Sequence, residues 1–462
     1  MSHRLSRRTK LVYGSGDLGF SLTGTILGAF FAIFLTDVVG VSPGVAAAAV
    51  LVGRTWDYVN DPLIGYISDH TRTRWGRRRP FLLFGPLPYA LAFAMLWWRP
   101  PLESDVALGI YYAVAYVAYD AAATFVYMPY FALTPELTSD YDERTALTSY
   151  RMFFSILGSL IAFTVPLFIV GTFTPANAPR VLVMGLSFGL ISALPLWLVF
   201  FGTRERPEYM RHAQPGLRES LRAAAKNRPF VFSMFILLFT WVSVEVVQAT
   251  LLYFIKYWMH REAESDLVMA TIFVTGILAL PLWEWASRRW NKRWAYVVGI
   301  GFWAAVQIVL VTLNAATPLP VILFLCVMAG IGVAAAHVLP WSIIPDAIEW
   351  DEWQTGQRHE GLFYSLTTLA LKVATSIALP LVLLALQVTG YEPNAARQPA
   401  SALLGMRIVM GPIPAFLLCT GILFAVLYPL SREQHAQVVQ ALEERRVEAD
   451  ADRPVDSPKE AA

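Results

Sequence analysis

Apolar runs of about 20 residues, the length of helix needed to cross a bilayer, recur along the chain with polar punctuation between them. The pattern predicts spans near residues 11–38, 43–68, 80–98, 106–133, 147–170 and 180–201. After a polar stretch come 229–257, 266–287, 294–313, 318–345, 359–387 and 405–429. That stretch, from Thr203 to Arg228, divides the twelve spans six and six, and the two sets echo each other. Met128-Pro129-Tyr130 and Thr134-Pro135-Glu136 close the fourth span, and Leu339-Pro340-Trp341 and Ile344-Pro345-Asp346 close the tenth. An acidic stretch ending in arginine follows each, Asp140 to Arg144 and Glu349 to Arg358. A repeat of this size predicts an all-α membrane protein, twelve transmembrane helices in two pseudo-symmetric six-helix bundles around a central cavity. Residues 1–201 and 229–430 are the expected bundles, 202–228 a linker and 431–462 a tail with a disordered end from Glu448.

Basic residues orient this arrangement. Arg4, Arg7, Arg8 and Lys10 precede the first span, five arginines between Arg72 and Arg79 follow the second, and seven Lys or Arg lie between 202 and 228. Arg288, Arg289, Lys292 and Arg293 follow the eighth, all on one side, whereas Val39 to Pro43 and Asn314 to Pro320 on the other side are nearly uncharged. The excess of positive charge places both termini in the cytoplasm of a multi-pass plasma-membrane protein, the inner membrane if the source is bacterial. The basic start shows no cleavage site before Asp17, so the first helix is expected to remain as an uncleaved anchor. Segments 216–226 and 431–446 read as surface amphipathic helices.

Composition agrees and adds exclusions. The chain of 462 residues is 56% hydrophobic, 13% aromatic and 15% charged, too apolar for a soluble protein, and its net charge of +2 carries no nucleic-acid signal. Cys326 and Cys419 stand far apart inside apolar runs, as small hydrophobes. The seven histidines are scattered without metal-ligand spacing, and neither a Walker motif nor a GxSxG elbow occurs. An enzyme, a resident cofactor and a resident metal are not expected.

Chemistry enters through the polar stretch Arg54 to Pro62 within the second span. Asp57 and Asp61 are four residues apart, so a helix presents both on one face, with Asn60 beside them and Arg54 one turn before. A carboxylate at mid-bilayer costs about 2.5–3.5 kcal/mol by insertion scales, so a pair requires positive company. A transported Na+ or H+ would supply it, and Asp57, Asp61 and Asn60 are candidate cation-binding residues. Asp17, Asp120, Glu245 and Lys372 also lie at membrane depth, with Arg151 near the start of its span. Carboxylates accept and Arg or Lys donate, so these charges are candidates to bind a polar solute and to exchange partners when a cation arrives. Tyr127, Trp341 and Tyr364 are candidate stacking faces in the cavity. Gly24 and Gly28 form a small-xxx-small face for close helix packing.

Taken together these residues resemble the major facilitator superfamily and, within it, the glycoside-pentoside-hexuronide:cation symporters, the melibiose-permease-like group. The resemblance runs from Tyr13 to about Leu430 and rests on Tyr13-Gly14-Ser15-Gly16-Asp17, Thr36 to Gly40, the WDYVNDPLIG run from Trp56 to Gly65, Asp69 to Pro80, Pro129 to Arg151 and Pro345 to Ser365. It implies a cation site of Asp57 and Asp61 with Thr124, and a sugar site of Asp17, Arg151, Trp341 and Lys372. One position departs: a carboxylate that sugar-binding members place two residues before the helix-4 proline is Tyr127 here, and Asp120 lies two turns earlier. Leu22 to Val38, Val52-Gly53-Arg54, Asp120 and Glu245 are similar instead to a second branch, the sodium-dependent lysophospholipid symporters. The expectation is a Na+- or H+-coupled symporter, a monomer, carrying a sugar or related small solute, with an amphipathic membrane lipid as the second reading. The loop with Asp69, Arg77, Arg78 and Arg79 is expected to gate the cytoplasmic side by pairing with helix ends when that side is closed.

Overall fold

The computed structural model describes residues 5–138, 141–205, 224, 226–356 and 360–451. The linker segment 216–226, except for Ala224 and Lys226, lies outside them, as do Asp140 in the first acidic stretch, Gln357 to His359 in the second, and the end of the tail. The described chain is mainly helical, with short loops and an isolated β-bridge between Thr73 and Gly76. α1 (Arg7–Ile33) begins where the Ser6 hydroxyl accepts from the Thr9 amide, and it runs on into a π-helical turn, Phe34–Val39. Gly40, at φ +91°, ends it in the left-handed conformation that glycine adopts freely. α2 (Pro43–His70) starts on a proline, whose missing N–H costs nothing at a helix start, and carries Pro62 in its interior. The expected third span is two helices, α3 (Arg79–Phe84) and α4 (Pro86–Leu96), broken at Gly85 before the proline. α5 (Asp105–Leu137), α6 (Tyr141–Val170) and α7 (Ala178–Gly202) complete the first half.

The second half repeats this plan. α8 (Arg228–Tyr253) is capped by the Asn227 side chain and, like α1, ends in a π-helical turn, Phe254–Trp258. α9 (Ser265–Trp290), α10 (Lys292–Leu310), α11 (Leu319–Thr355) and α12 (Glu360–Val388) follow. The last expected span is α13 (Ala400–Met410) and α14 (Pro412–Val426), interrupted at Gly411, and α15 (Arg432–Ala451) is a polar helix beyond it. Ten spans among the described residues are long and apolar enough to cross a membrane. The remaining two expected crossings are the charged α2 and the broken α3–α4 pair. It is a multi-pass membrane protein.

Within the first half α1 lies along α6 and α7, and α2 along α5; within the second, α11 packs on α9 and α10, and α8 on α14. Across the halves α2 meets α12, α6 meets α9 and α1 meets α8. Glycines permit the closest approaches. A Cβ on Gly19 would stand 2.3 Å from the Ser192 carbonyl oxygen of α7, and one on Gly158 would stand 2.9 Å from that of Leu18. The expected pair behaves differently: Gly28 faces the Gln248 side chain, whereas Gly24 meets nothing within 4 Å. Close packing on α1 therefore involves Gly14, Gly16, Gly19 and Gly28, while Gly24 stands open.

Candidate functional site

α2 presents Asp57 and Asp61 on one face, and α12 brings a lysine to meet them. Lys372 Nζ lies 2.8 Å from Asp57 Oδ2 and 2.5 Å from Asp61 Oδ2. On their other side the Thr124 hydroxyl of α5 stands 3.3 Å from Asp57 Oδ1 and 3.4 Å from Asp61 Oδ1. A hydroxyl has one proton, so it donates to one carboxylate at a time and offers its lone pairs to whatever else sits between them. Lys372, expected on the substrate side, thus occupies the position of a counter-ion to the cation pair. Asn60, expected among the cation ligands, turns its Nδ2 to the Asp120 carbonyl oxygen 3.4 Å away and ties α2 to α5.

Arg54, one turn before Asp57, reaches both halves. Its Nε donates to Tyr116 OH at 3.1 Å and its guanidinium to the Thr375 carbonyl oxygen at 2.7 Å. Tyr58 and Ser376 share a 2.5 Å hydrogen bond one turn further along. Arg54 also acts electrostatically on Glu245 of α8 and Asp120 of α5, and Asp120 in turn feels Asp57, Asp61 and Lys372. Asp120 Oδ2 is buried with no hydrogen-bond partner. Four carboxylates, Asp57, Asp61, Asp120 and Glu245, therefore share one electrostatic cluster with two cations, Lys372 and Arg54. At membrane depth an acidic excess of this kind is met by mobile cations or by protons on the carboxyls.

The Asp17 pair is built separately, where α1 lies along α6. Arg151 Nε is 3.2 Å from Asp17 Oδ2, and the same two helices are joined further up by Ser21 with Ser155 at 2.7 Å and Thr25 with Ser159 at 3.2 Å. The guanidinium of Arg151 also lies over the Phe131 ring, 4.3 Å from its centre. Tyr127 is stacked between Phe20 and Phe131, so the departing position is part of an aromatic wall beside Arg151. Trp341 lies in the second half, partly buried against the cluster of Phe230, Leu237, Ile344 and Phe363 together with Tyr364.

A second charged centre was not anticipated. The π-helical turns that end α1 and α8 meet, and Asp37 of the first is fully buried against Lys256 of the second, 2.6 Å away. Tyr257 donates to Asp37 at 2.5 Å, Tyr391 donates to its other oxygen, and Asn394 Nδ2 reaches its backbone carbonyl at 2.7 Å. Thr36 and Tyr253 share a 2.8 Å bond beside them. One apolar cluster runs across the halves at this end, from Phe30, Phe34 and Val38 to Tyr253, Leu379 and Leu383. The available signal was a charge inside each of two matched apolar runs, Phe34-Leu35-Thr36-Asp37 and Phe254-Ile255-Lys256.

The arginine loop at the opposite end is held within the first half. Arg77 and Arg78 both bind Glu136 at the end of α5, at 2.5 and 3.2 Å, and Arg78 also pairs with Asp69. The backbone amides of Arg77, Arg78 and Arg79 converge on the Glu205 carboxylate at 2.6–2.9 Å, and the Arg79 guanidinium donates to the Phe200 carbonyl oxygen. These bonds clamp the ends of α2, α5 and α7 together. The loop's charges thus pair with helix ends, Glu136 of α5 among them, within their own half.

A family model described as MFS/sugar transport protein matches residues 12–432. The chain belongs to this family of the major facilitator superfamily. This transporter is 31% identical to an uncharacterized symporter of Synechocystis sp., over 96% of its own length and 98% of that protein's. It is 28% identical to the sodium-dependent lysophosphatidylcholine symporter 1-A of Danio rerio, over 92% and 86% of the two chains. Among solved structures it resembles a D-xylose-proton symporter, with a TM-score of 0.65 and 18% identity over 91% of this chain and 97% of that one, a likeness of fold alone. It is a symporter of the superfamily and moves a small-molecule substrate.

Proposed function

We propose that this symporter couples the entry of Na+ or H+ at Asp57 and Asp61 to the uptake of an amphipathic, lysophospholipid-like solute by rocking two six-helix bundles. The observation that carries the coupling is Lys372 bridging both carboxylates. An ammonium held by two carboxylates leaves one negative charge over, so a single monovalent cation or proton neutralises the site. Arrival of that cation, with Thr124 as an oxygen ligand, weakens the hold on Lys372, and the unpartnered Asp120 oxygen offers the ammonium a second position. Since Lys372 belongs to one half and Asp57 and Asp61 to the other, this exchange changes how tightly α2 and α12 are joined.

Two observations favour the amphipathic solute. Tyr127 replaces a sugar-accepting carboxylate with an aromatic wall, and Arg54 with Glu245 offers opposite charges suited to a zwitterionic head group. The likeness to a lysophosphatidylcholine symporter accords with this. A sugar or glycoside is the second reading, favoured by the Asp17–Arg151 pair, which survives intact. Uptake of labelled lysophosphatidylcholine beside simple glycosides into proteoliposomes, with and without an inward Na+ or H+ gradient, decides between them. Gradient-driven lysolipid uptake lost in Asp57→Asn supports the first reading; glycoside uptake alone replaces it with the second. We further propose that both termini and the Arg77–Arg79 clamp are cytoplasmic, that Asp37 closes the outer side, and that the protein acts as a monomer.

A further inference from the structure

We propose that His337 and Trp241 form a hydroxyl-recognition subsite in the central cavity. The inference rests on the reading of this transporter as a symporter of a polar-headed solute and adds a recognition site in the second half of the chain. Which face of α8 looks toward the other half follows from its neighbours. Gln248 donates to the Thr25 carbonyl oxygen of α1 at 3.2 Å, and Glu245 feels Arg54 of α2. Trp241, one turn before Glu245, lies on that same face. His337 of α11 packs edge-on against Trp241 with ring centres 5.1 Å apart, and it is exposed even though it stands in the middle of a 37-residue helix. Trp341, four residues on, shares the His337 face and packs in the same cluster as Trp241.

The chemistry of the pair follows from its hydrogen bonds. His337 Nδ1 is 2.9 Å from the Val333 carbonyl oxygen, and a carbonyl only accepts, so Nδ1 carries a proton. In the neutral ring Nε2 is then a free acceptor. Trp241 Nε1–H is buried and has no acceptor. A buried donor without a partner is costly, so an acceptor brought there by a ligand would be favourable. One free acceptor beside one orphaned donor is the complement of a hydroxyl, which donates and accepts through the same oxygen. The imidazole is exposed, so its Nε2 is open to such a hydroxyl while Nδ1 stays on Val333. A carboxylate or phosphate would satisfy Trp241 and repel Nε2, and an alkyl chain would satisfy neither. Sugars and the glycerol of a lysolipid both carry the required hydroxyl.

The test is a substrate comparison in proteoliposomes made from the full chain. Lysophosphatidylcholine is paired with its 2-O-methyl ether, and a methyl glycoside with its deoxy analogues. Wild type should prefer the hydroxyl-bearing member of one pair by about tenfold or more in kcat/KM. Trp241→Phe keeps the ring and removes the N–H, and His337→Phe removes both nitrogens; each should abolish that preference while leaving uptake of the hydroxyl-free member within about twofold. His337→Gln, which restores an acceptor, should recover part of it. Equal loss for both members of a pair, an unchanged preference in both variants, or no preference in wild type overturns the subsite. Which pair responds distinguishes lipid from sugar, and dependence on the cation gradient in wild type and Asp57→Asn tests the symport reading separately.

Discussion

Asp57, Asp61 and Lys372 bind one another across the two halves, so their substitutions should have unlike effects. The three are only half-buried, so removing one partner of this hydrogen-bonded charge group should cost about 2 kcal/mol, the lower end for such pairs and roughly thirtyfold in binding. Asp57→Asn should lower cation-driven uptake by about that factor. On the proposed mechanism Lys372→Gln removes an ammonium that competes with the coupling cation, so the site should bind Na+ or H+ more tightly while turnover falls; titration with Na+ and with H+ beside uptake separates the two effects. Packing gives a prediction of another kind. A methyl group on Gly19 would sit 2.3 Å from the Ser192 carbonyl oxygen, so Gly19→Ala forces α1 and α7 apart. It should destabilise by about 1–3 kcal/mol, seen as a lowered melting temperature in detergent, whereas Gly24→Ala, with open space, should not.

Helix ends carry the next level of argument. The two π-helical turns place Asp37 and Lys256 in contact, and Asp37 has no water to fall back on. Asp37→Asn leaves Lys256 buried and partly uncompensated, so closure at that end should weaken by roughly 3–5 kcal/mol. Cysteines placed at Val41 and Gln398 should be alkylated faster in the variant, and the double variant with Lys256→Met should recover part of the loss. At the opposite end α15 is docked by Val438 and Leu442, both buried, and by His435, whose Nε2 is 2.6 Å from Glu349 Oε2 and 3.6 Å from Asp346 Oδ1. Lys292, 2.5 Å from Asp346, opposes a charge on the imidazole only in part. The hydrogen bond to Glu349 raises the His435 pKa above its ordinary 6.5. A raised value means that the docked helix binds the proton more tightly than the free one. The contribution to docking is then complete below pH 6.5 and lost as the pH rises through the raised value. Proteolysis of α15 should accelerate over that window, and His435→Gln should remove the pH dependence.

For the whole molecule, the decisive quantity is the free energy that joins α2 to α12. Lys372 on the carboxylate pair, Arg54 on the Thr375 carbonyl and Tyr58 on Ser376 all cross this seam. On the proposed mechanism a cation that loosens the first of them and a solute that engages Arg54 would act on the same joint, so that two ligands would share one conformational change. Spin labels on α2 and α12 should accordingly show a distance distribution that shifts with Na+ plus solute by more than the two shifts added, and Lys372→Gln should abolish that excess. Fully additive shifts would dissociate the seam from coupling.

The twelve crossings, the six-and-six division and the acidic pair on α2 were legible in the sequence because each is local. A run of apolar residues need only match the bilayer, and two carboxylates four residues apart share a helix face in any fold. Lys372 was visible as a costly charge but its contact with Asp57 and Asp61 was not, since that depends on how α12 lies against α2, more than 300 residues away in sequence. The same holds for Asn60, turned to α5, and for Trp341, packed inside its own half. Asp37 and Lys256 each looked like one polar residue in an apolar run, and only the meeting of two π-helical turns makes them a lock. The breaks at Gly85 and Gly411 follow the same division: Gly-Pro marks a weak point, while whether the helix parts there depends on what packs beside it. Sequence determined which residues could not face lipid alone; tertiary structure decided which of them face one another, because burial of charge sets the need for a partner and only helix packing supplies it.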